Sequence, residues 1–282
     1  MSLISIITPA YQAEDTIVRA VKSVLAQTHA DWEMIIVSDD GKDYQTILAA
    51  HNIMDPRLRF ASTEKIQSSP SCGRNIALDM VRGDFITTLD ADDEYHPQYL
   101  EILLKPASQY GVAMVRLAYK TKPGGEKEML FVHDTNRDAG FQLLTLDEYV
   151  KMNGCTITMF ARALLKHRYL ETIRYAEDFL FDVRFFEAVS AIPVFNERFY
   201  IYHYHEKSLT SIERADQLFI DDYKKVITML EAMDTIQPWL KNKLLALYHH
   251  RLFQNYLYVS AKAQGECADF FEFMAQHPEY FT

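Results

Sequence analysis

Four acidic residues, Asp90, Asp92, Asp93 and Glu94, directly follow a short uncharged run that begins at Phe85. The run is too short for a helix and has the character of a buried strand. In open α/β sheets, ligands bind at the carboxyl ends of the strands. Carboxylates side by side cannot all ionise without a counter-charge, so either their pKa values rise or a cation lies among them. A metal–diphosphate site is one interpretation, and a solvated acidic turn before the next helix is the other.

Other groups that could carry chemistry also follow predicted elements. Asp39 and Asp40 end a predicted strand, where a carboxylate can bind a nucleobase or ribose, or can cap a helix. Arg74 lies at a predicted helix start, which favours an anion site, although a surface arginine is the alternative. Glu177 and Asp178 begin another predicted helix. They either complement the helix dipole or include a general base.

Two further segments have more ambiguous patterns. Thr8–Tyr11 follows the first predicted strand, and its main-chain edge and aromatic ring could cradle a nucleobase or form a plain turn. His205 lies near Lys207, Ser208 and Thr210, a set that suits a metal ligand or a phosphate clamp. A histidine with satisfied surface contacts is the alternative interpretation.

The elements that must position these groups alternate along the first 90 residues. The predicted elements, in chain order, are strand 3–7, helix 13–27, strand 33–37, helix 44–51, strand 57–61, helix 71–81 and strand 85–89. We expect the proline at position 9 to end the first strand, and Glu14 and Asp15 to occupy the first turn of the first helix. This alternation predicts a parallel sheet with right-handed crossovers. Most of the polar clusters would therefore meet along one edge of the sheet.

The remaining chain is predicted to be mixed and then helical. The predicted elements are helix 97–110, strand 112–119, a hairpin returning over 129–132, helix 146–152, strand 156–160, helix 177–189 and strand 194–204. From residue 215 onward the pattern is helical, and Pro238 is expected to open a new helix.

Composition limits the function classes. The chain has 282 residues, 49% of them hydrophobic, and a net charge of −10, which predicts a large α/β domain, with or without an appendage, and argues against broad nucleic-acid binding. Cys72, Cys155 and Cys267 are far apart, so we expect reduced thiols rather than a zinc site or disulfides. The first residues lack a signal-peptide pattern, and an apolar run of 18 residues is absent, so we expect a cytoplasmic protein.

In this order the motifs resemble those of family 2 inverting nucleotide-sugar glycosyltransferases with the GT-A fold. The segments that carry the resemblance are I-I-T-P-A-Y at 6–11, the acids at 39–40, G-R-N-x-A at 73–77, G-D-F-I-T-T-L-D-A-D-D at 83–93, A-E-D-F at 176–179 and H-x-x-S-L-T at 205–210. The resemblance implies a Rossmann-like, mostly parallel central sheet flanked by helices, plus a C-terminal helical extension. It implies a nucleotide-sugar-binding half at 1–111, an acceptor-binding half of the same domain at 112–211, and the extension at 212–282.

The resemblance also implies roles for individual residues. The nucleotide-sugar site would contain Thr8, Pro9, Ala10, Tyr11, Glu14, Asp39, Asp40, Arg74, Asn75, Asp90, Ala91 and Asp92. Either Asp39 or Asp40 would pair with the base, because this pair aligns with the family's acidic motif in two registers. Asp178 would be the catalytic base, with Glu177 beside it. The ligands of a Mn²⁺ or Mg²⁺ cofactor would be Asp92, Asp90 and His205.

The function implied is metal-assisted, inverting transfer of a hexosyl or N-acetylhexosaminyl group. The donor would be a nucleotide-diphospho-sugar, with UDP-sugars favoured, and the acceptor a carbohydrate or lipid-linked hydroxyl. Bacterial cell-surface polysaccharide or glycolipid synthesis is the expected process, at the inner face of the membrane or in the cytoplasm. The apolar tail after residue 211 would pack on the domain, form a homodimer or dock on a membrane surface.

Three other functions compete with this interpretation. A phosphohydrolase with a nucleophilic aspartate places its Asp-x-Asp on the first strand, whereas here the motif follows the fourth. A nucleotidyltransferase needs a glycine- and arginine-rich loop after the first strand, and this chain has none there. A catalytically silent GT-A-fold protein that binds sugars or partners is the remaining alternative. Departures from the family pattern occur at Gln12, at 41–43 and at His203, where asparagine, Gly-Ser-Thr and arginine are usual.

Overall fold

The computed structural model describes residues 2–116, 120–121, 127–128, 140–152, 156–174, 177–195, 199–203, 215–268 and 270–280. By their contacts, the residues divide into two compact units. The first unit comprises Met1–Thr172 with Ala176–His205, and the second comprises Ile173–Tyr175 with Glu206–Thr282.

Among the described residues, the first unit contains all the β-strands and six of the α-helices. Its strands are β1 Ile4–Ala10, β2 Trp32–Ser38, β3 Leu58–Ser62, β4 Phe85–Thr88, β5 Glu94–Tyr95, β6 Val112–Arg116, β7 Lys120–Thr121, β8 Lys127–Glu128, β9 Gln142–Leu144, β10 Thr156–Ala161, β11 Ile192–Phe195 and β12 Tyr200–His203. Its α-helices are α1 Ile17–Leu25, α2 Tyr44–Ala50, α3 Pro70–Met80, α4 Tyr99–Tyr110, α5 Leu146–Met152 and α6 Glu177–Phe186.

An eight-stranded sheet in the order β3-β2-β1-β4-β10-β6-β11-β9 forms the centre of this unit. The four N-terminal strands pair in parallel, as the alternation of strands and helices predicts. Strand β10 lies antiparallel between β4 and β6, and β9 pairs antiparallel with β11. A smaller sheet in the order β5-β12-β7-β8 adjoins the acidic run. Strands β1 and β2 are buried almost throughout, which explains their nearly continuous apolar sequences.

Some predicted elements differ from those observed. The stretch predicted as one strand over 194–204 contains two strands, β11 and β12, which belong to different sheets. The strand predicted over 112–119 is described as far as Arg116, and β7 pairs antiparallel with β8 as a hairpin. The return predicted at 129–132 lies outside the described residues, as does Cys155.

The proline does not end the first strand, because β1 continues through Pro9 to Ala10. Leu89 N, after β4, donates to Ile7 O, and Asp39 N, after β2, donates to Ala10 O. Because the backbone polar groups of successive strand residues point to opposite sides, those of Ile7 and Pro9 both point toward β4. Strand β4 ends at Thr88, which pairs with Ile7. Pro9 therefore lies beyond the end of that neighbour, and its missing N–H interrupts no ladder.

Helix α1 begins later than predicted, at Ile17, so Glu14 and Asp15 precede it rather than occupy its first turn. Glu14 instead forms an ion pair with Lys42 Nζ in the turn before α2. That pairing explains why this acid stands outside the helix.

The second unit consists of helices α7 Ala215–Ala232, α8 Pro238–Ala263 and α9 Phe270–Gln276. Pro238 opens α8, as predicted from its preference for the first helical position. Helices α7 and α8 bury an apolar seam that includes Val226, Leu230, Leu244 and Tyr248. Among the described residues, we find no helix with the length and apolar character needed to cross a bilayer.

The beginning of β4 is fixed by a close approach of backbone at Gly83. Gly83 N donates to Ser5 Oγ at 2.8 Å, and Ser5 Oγ donates to Glu33 Oε1 at 2.7 Å. A Cβ added to Gly83 would lie 2.6 Å from Ser5 N and 2.7 Å from Leu3 O. Because these are backbone atoms of a central strand, they cannot move aside without distorting the sheet.

We therefore expect Gly83→Ala to destabilise the protein by about 1–3 kcal/mol, the usual cost of overpacking a core. Thermal unfolding followed by circular dichroism measures this loss. Asp84→Ala is the matched control, because Asp84 is an exposed neighbour and surface changes usually stay within about 0.5 kcal/mol. Equal melting temperatures for both variants would contradict the close approach.

Candidate active site

The candidate site is centred on Arg74, in the second turn of α3. Ser69 caps this helix by accepting a hydrogen bond from Cys72 N at 3.2 Å. The Arg74 side chain is only 10% exposed. Its Nη2 donates to Asp90 Oδ1 at 2.9 Å, and its Nη1 donates to Glu177 Oε1 at 2.8 Å. One guanidinium thus joins α3, the end of β4 and the start of α6.

The charges around Arg74 shift the pKa values of both partners. Burial disfavours a charged guanidinium, but the Asp90 and Glu177 carboxylates outweigh it and hold the pKa of Arg74 well above its usual value. Burial, reinforced by the charge of Asp178 and opposed by Arg74, raises the pKa of Glu177 to about 7. Burial also raises the pKa of Asp90, with Asp92 adding to the rise and Arg74 opposing it. The single cation at this point therefore compensates only part of the surrounding negative charge.

A cavity of about 30 Å³ opens beside Arg74. It is lined by Arg74, Thr88, Asp90, Thr156, Ile157, Thr158, Phe160, Tyr169, Asp178 and Asp182. Asp178 is exposed, and its Oδ1 accepts a hydrogen bond from Phe179 N at 2.7 Å. The structure therefore brings the predicted base to the same hollow as Arg74 and Asp90.

The acidic run divides into outward and inward members. Asp93 is buried, and it accepts hydrogen bonds from Tyr200 OH at 2.7 Å and His203 N at 2.8 Å. Burial, with Asp92 and Asp90 nearby, holds the pKa of Asp93 well above its usual value. Asp93 therefore ties the run to β12 and does not face a ligand.

Glu94 interacts with an arginine and a histidine of the protein. His203 Nε2 lies 2.6 Å from Glu94 Oε1, and Arg19 Nε lies 3.4 Å from the same oxygen. Arg19 also donates to the main-chain oxygen of Asp92. The counter-charges that the sequence requires are thus partly internal: Arg74 for Asp90, and Arg19 for Glu94.

Asp90 and Asp92, the two predicted metal ligands of the run, are both partly exposed to solvent. The Asp90 side chain is 36% exposed, and Asp92 is half-buried. Within the described ranges, no three His, Cys, Asp or Glu side chains converge closely enough to hold a metal ion. Two carboxylates still fit Mg²⁺ or Mn²⁺ if substrate phosphates and water complete the shell, as is usual for Mg²⁺. His205, the third predicted ligand, lies outside the described residues.

The predicted nucleoside wall lies at the end of β1. Thr8 and Ala10 are buried, and Tyr11 is 41% exposed, so its ring faces solvent. Thr8 Oγ1 is buried and makes no hydrogen bond within the described part of the chain. Gln12 N donates to Asp40 Oδ2 at 2.6 Å from a left-handed backbone with φ of 49°. Asparagine, the usual family residue here, adopts that conformation more readily than glutamine.

Asp39 and Asp40 have different surroundings. Asp40 accepts four hydrogen bonds, from Gln12 N, Ser38 Oγ, Lys42 N and Tyr44 OH. Burial would raise the pKa of Asp40, but these donors outweigh it and lower the pKa.

Asp39 has fewer donors. Its Oδ1 accepts from Thr63 Oγ1 at 2.7 Å and Ser68 N at 2.9 Å, whereas its Oδ2 accepts only a longer bond of 3.2 Å from Ser69 N. Asp40 is therefore the structural member of the pair, and Asp39 keeps the greater capacity to accept a bond from a ligand.

Two further predicted site residues have other partners. Asn75 Nδ2 donates to Tyr169 O at 3.0 Å and Glu171 Oε1 at 2.8 Å, and Tyr169 N donates to Asn75 Oδ1 at 2.9 Å. Asn75 thus holds the segment that carries Tyr169. The centroid of the Tyr169 ring lies 5.4 Å from the Arg74 guanidinium carbon. Ala91 is buried between the two outward acids.

Sequence reasoning missed Thr158, Tyr169 and Asp182 as cavity residues. The signal for Asp182 was available, because it follows Asp178 by four residues on the predicted helix and so lies on the same face. Thr158 and Tyr169 carry no comparable signal, because long-range contacts bring them to the cavity: β10 pairs with β4 and β6, and Asn75 binds the Tyr169 main chain.

A profile described as Glycosyl transferase family 2 matches residues 5–169, more than half of the chain. The chain belongs to glycosyl transferase family 2. The resemblance inferred from the motifs is therefore confirmed.

Two relatives illustrate the range of this family. The succinoglycan biosynthesis protein ExoO of Rhizobium meliloti is 28% identical over 229 residues, which are 76% of this chain and 64% of that protein. WfgD of Escherichia coli, named UDP-Glc:alpha-D-GlcNAc-diphosphoundecaprenol beta-1,3-glucosyltransferase, is 38% identical over 100 residues, 36% of this chain and 39% of that protein. The chain thus spans less than two thirds of the length of these relatives.

Among solved structures, TarS of S. aureus in complex with UDP-GlcNAc shares the fold with a TM-score of 0.70. The superposition covers 90% of this chain and 73% of that chain, at 20% identity. The predicted GT-A fold, with its mostly parallel sheet, flanking helices and C-terminal helical region, is confirmed.

The raised pKa of Glu177 gives this family member a testable pH dependence. The folded state keeps the proton on Glu177 up to about pH 7, whereas the ordinary pKa is 4.5. The contribution of Glu177 to stability is therefore complete below pH 4.5 and is lost as the pH rises through 7.

We expect Glu177→Gln, which cannot ionise, to lose fewer degrees of melting temperature than the wild type between pH 5 and pH 8. Glu231→Gln, an exposed change on α7, should keep the wild-type pH dependence. Parallel melting curves for the wild type and Glu177→Gln across this range would show that Glu177 is already ionised at pH 5.

Proposed function

We propose that this protein transfers a sugar from a nucleotide-diphospho-sugar to an acceptor hydroxyl with inversion at the anomeric carbon. The observation that carries the proposal is the shared cavity of Asp178, Arg74 and Asp90. The cavity is lined by a carboxylate that could accept a proton, a cation and a second carboxylate. The exposure of Asp178 gives an acceptor access from solvent.

The donor we propose is a UDP-hexose or UDP-N-acetylhexosamine. Support comes from the fold shared with TarS, which was solved with UDP-GlcNAc, and from WfgD, whose name specifies UDP-Glc. Asp39, with its less occupied Oδ2, would accept the N–H of the uracil, while Thr8–Tyr11 would form the wall beside it. Asp40 would hold this turn in place through its four donors.

The chemical step is a single displacement. The acceptor oxygen forms a bond to the anomeric carbon as the bond from that carbon to the diphosphate oxygen breaks. Asp178 takes the proton of the acceptor hydroxyl as general base. Inversion follows because the base and the leaving group lie on opposite faces of the sugar. Arg74 stabilises the charge that develops on the diphosphate, since a buried cation costs no reorganisation during the reaction.

A divalent cation fits this site. Asp92 and Asp90, with His205, would hold Mn²⁺ or Mg²⁺, which when bound neutralises part of the charge on the leaving diphosphate. Glu177, held by Arg74 beside Asp178, would fix the guanidinium between the donor and the base.

We further propose a role in bacterial cell-surface polysaccharide or glycolipid assembly, with a carbohydrate or lipid-linked acceptor. The names of ExoO and WfgD support it, because they specify succinoglycan biosynthesis and a diphosphoundecaprenol-linked sugar. Such an acceptor would draw the protein to the inner membrane face. Residues 1–111 would bind the donor and residues 112–211 the acceptor.

We expect Asp178→Asn to lower turnover by about 100- to 10,000-fold, the usual contribution of a general base. UDP affinity should stay within a factor of about two, because the carboxylate is assigned to the acceptor and not to the nucleotide. Release of UDP from a panel of UDP-sugars with carbohydrate acceptors measures turnover, and calorimetry measures affinity.

Asp84→Asn, a change at an exposed aspartate outside the cavity, is the control and should keep wild-type turnover. Wild-type turnover in Asp178→Asn would remove the base assignment. If the wild type binds UDP-sugars but releases no UDP with any acceptor or water, the protein is the catalytically silent binder instead.

We expect Asp92→Ala to abolish the difference in UDP affinity with and without Mn²⁺ or Mg²⁺. Titration calorimetry with UDP, in chelator and in each metal, measures this difference. The wild type and Asp84→Ala should both bind UDP more tightly in metal. Retained metal dependence in Asp92→Ala would place the cation elsewhere.

A further inference from the structure

Asp182 is a buried carboxyl group that the proposed reaction does not use. It lies in α6, four residues after Asp178, and lines the same cavity. Thr158 Oγ1 in β10 donates to Asp182 Oδ2 at 2.5 Å. The other carboxyl oxygen makes no hydrogen bond to any residue that the structure describes. The Asp182 residue is only 6% exposed and lines the cavity, so a group that enters the cavity can form a hydrogen bond with this oxygen.

The position of Asp182 suggests which substrate it meets. Asp178 is exposed, whereas Asp182 is 6% exposed, so Asp182 lies at the enclosed part of the cavity. Arg74 and Asp90, which we assign to the donor, line the same cavity. An acceptor approaches Asp178 from solvent. The sugar ring of the donor lies between that base and the diphosphate, and it is the group that can reach the enclosed wall.

The surrounding side chains favour a hydroxyl over a charged group. The cavity has one cation, Arg74, which already pairs with two carboxylates. Burial, with the charge of Asp178, raises the pKa of Asp182 well above its usual value. A protonated Asp182 can both donate and accept, as a sugar hydroxyl does. Next to Asp182 itself a further anion is disfavoured, because the charge of Asp178 is close to it, and the cavity of about 30 Å³ is large enough for a group the size of a hydroxyl.

We propose that Asp182, anchored by Thr158, binds one ring hydroxyl of the donor sugar and helps to select which sugar is transferred. This inference rests on the proposed function. It follows that the wrong configuration or the absence of that hydroxyl leaves a buried polar group without its partner. Sites of this kind discriminate strongly between analogues.

The first experiment compares UDP with UDP-sugars by titration calorimetry on the full chain. The panel contains UDP-glucose, UDP-galactose, UDP-GlcNAc and UDP-GalNAc, and the sugar that binds wild type most tightly is then used. We expect Asp182→Ala to weaken binding of that UDP-sugar by about 10- to 100-fold, the range for leaving a buried donor or acceptor without its partner. Affinity for UDP itself should not change.

Asp182→Asn keeps the size of the side chain and guards against a variant that fails to fold. We expect it to lose less affinity than Asp182→Ala. Thr158→Val removes the anchor and should weaken UDP-sugar binding, whereas Thr158→Ser keeps the hydroxyl and should bind as the wild type does. Unchanged UDP affinity in each variant reports an intact nucleotide site.

The second experiment uses the 3-, 4- and 6-deoxy forms of the chosen UDP-sugar. We expect one deoxy form to bind the wild type about 10- to 100-fold more weakly than the parent sugar. Asp182→Ala should bind that form and the parent equally, because the partner of the missing hydroxyl is gone. This coupling is specific to a direct contact, since a purely structural role of Asp182 would weaken all forms alike.

The inference is overturned if Asp182→Ala and Asp182→Asn bind the UDP-sugars as the wild type does, or if they keep the wild-type preference among deoxy forms. In those cases wild-type binding of UDP-sugars leaves the proposed function standing. If the wild type binds neither UDP nor any UDP-sugar, the proposed donor is wrong and the inference falls with it.

Discussion

The site depends on one buried guanidinium shared between acids from distant parts of the chain. Arg74 pairs with Asp90 at the end of β4 and with Glu177 at the start of α6. Breaking a buried pair leaves an uncompensated charge, which is strongly destabilising. Arg74 therefore fixes the separation between the strand end that would meet the donor and the helix that carries the proposed base.

A second constraint is that the four acids of the run, Asp90, Asp92, Asp93 and Glu94, have different partners. Asp93 turns inward to Tyr200 and the His203 main chain, and Glu94 pairs with the His203 side chain and Arg19. These contacts anchor the run, so Asp90 and Asp92 can present carboxylate surface at a defined place. Within this run only Asp93 is buried, whereas Asp90, Asp92 and Glu94 are partly exposed.

In the turn after β2, the two adjacent acids Asp39 and Asp40 also differ in their hydrogen-bond partners. Asp40 collects four donors and fixes the loop that holds Gln12 and Tyr44, whereas Asp39 keeps a less occupied oxygen. The two acids are adjacent and chemically identical, and only their donors separate them. In this site, a carboxylate saturated by the protein supports the structure, and its less saturated neighbour is the candidate for a ligand.

Much of the fold could be predicted from local patterns. The parallel order of the first four strands follows from strand–helix alternation, and Pro238 opens α8 as its preferences require. The motifs also led to the family, because a short strand followed by acids and a helix that begins with two acids are visible in the residues themselves. Errors arose where a neighbour decides the outcome: Pro9 stays in β1 because β4 has already ended beside it.

What the sequence by itself determined was the identity and order of the elements, the family, and the residue types available for chemistry. Only the tertiary structure decided which acids face outward, which neighbour of the Asp39 pair is saturated, and that Thr158 and Asp182 complete the cavity wall. The physical reason is the distance along the sequence over which each interaction acts. Helix and strand patterns arise from residues a few positions apart, whereas burial, counter-charge and hydrogen-bond saturation are set by partners as distant as Arg74 and Glu177.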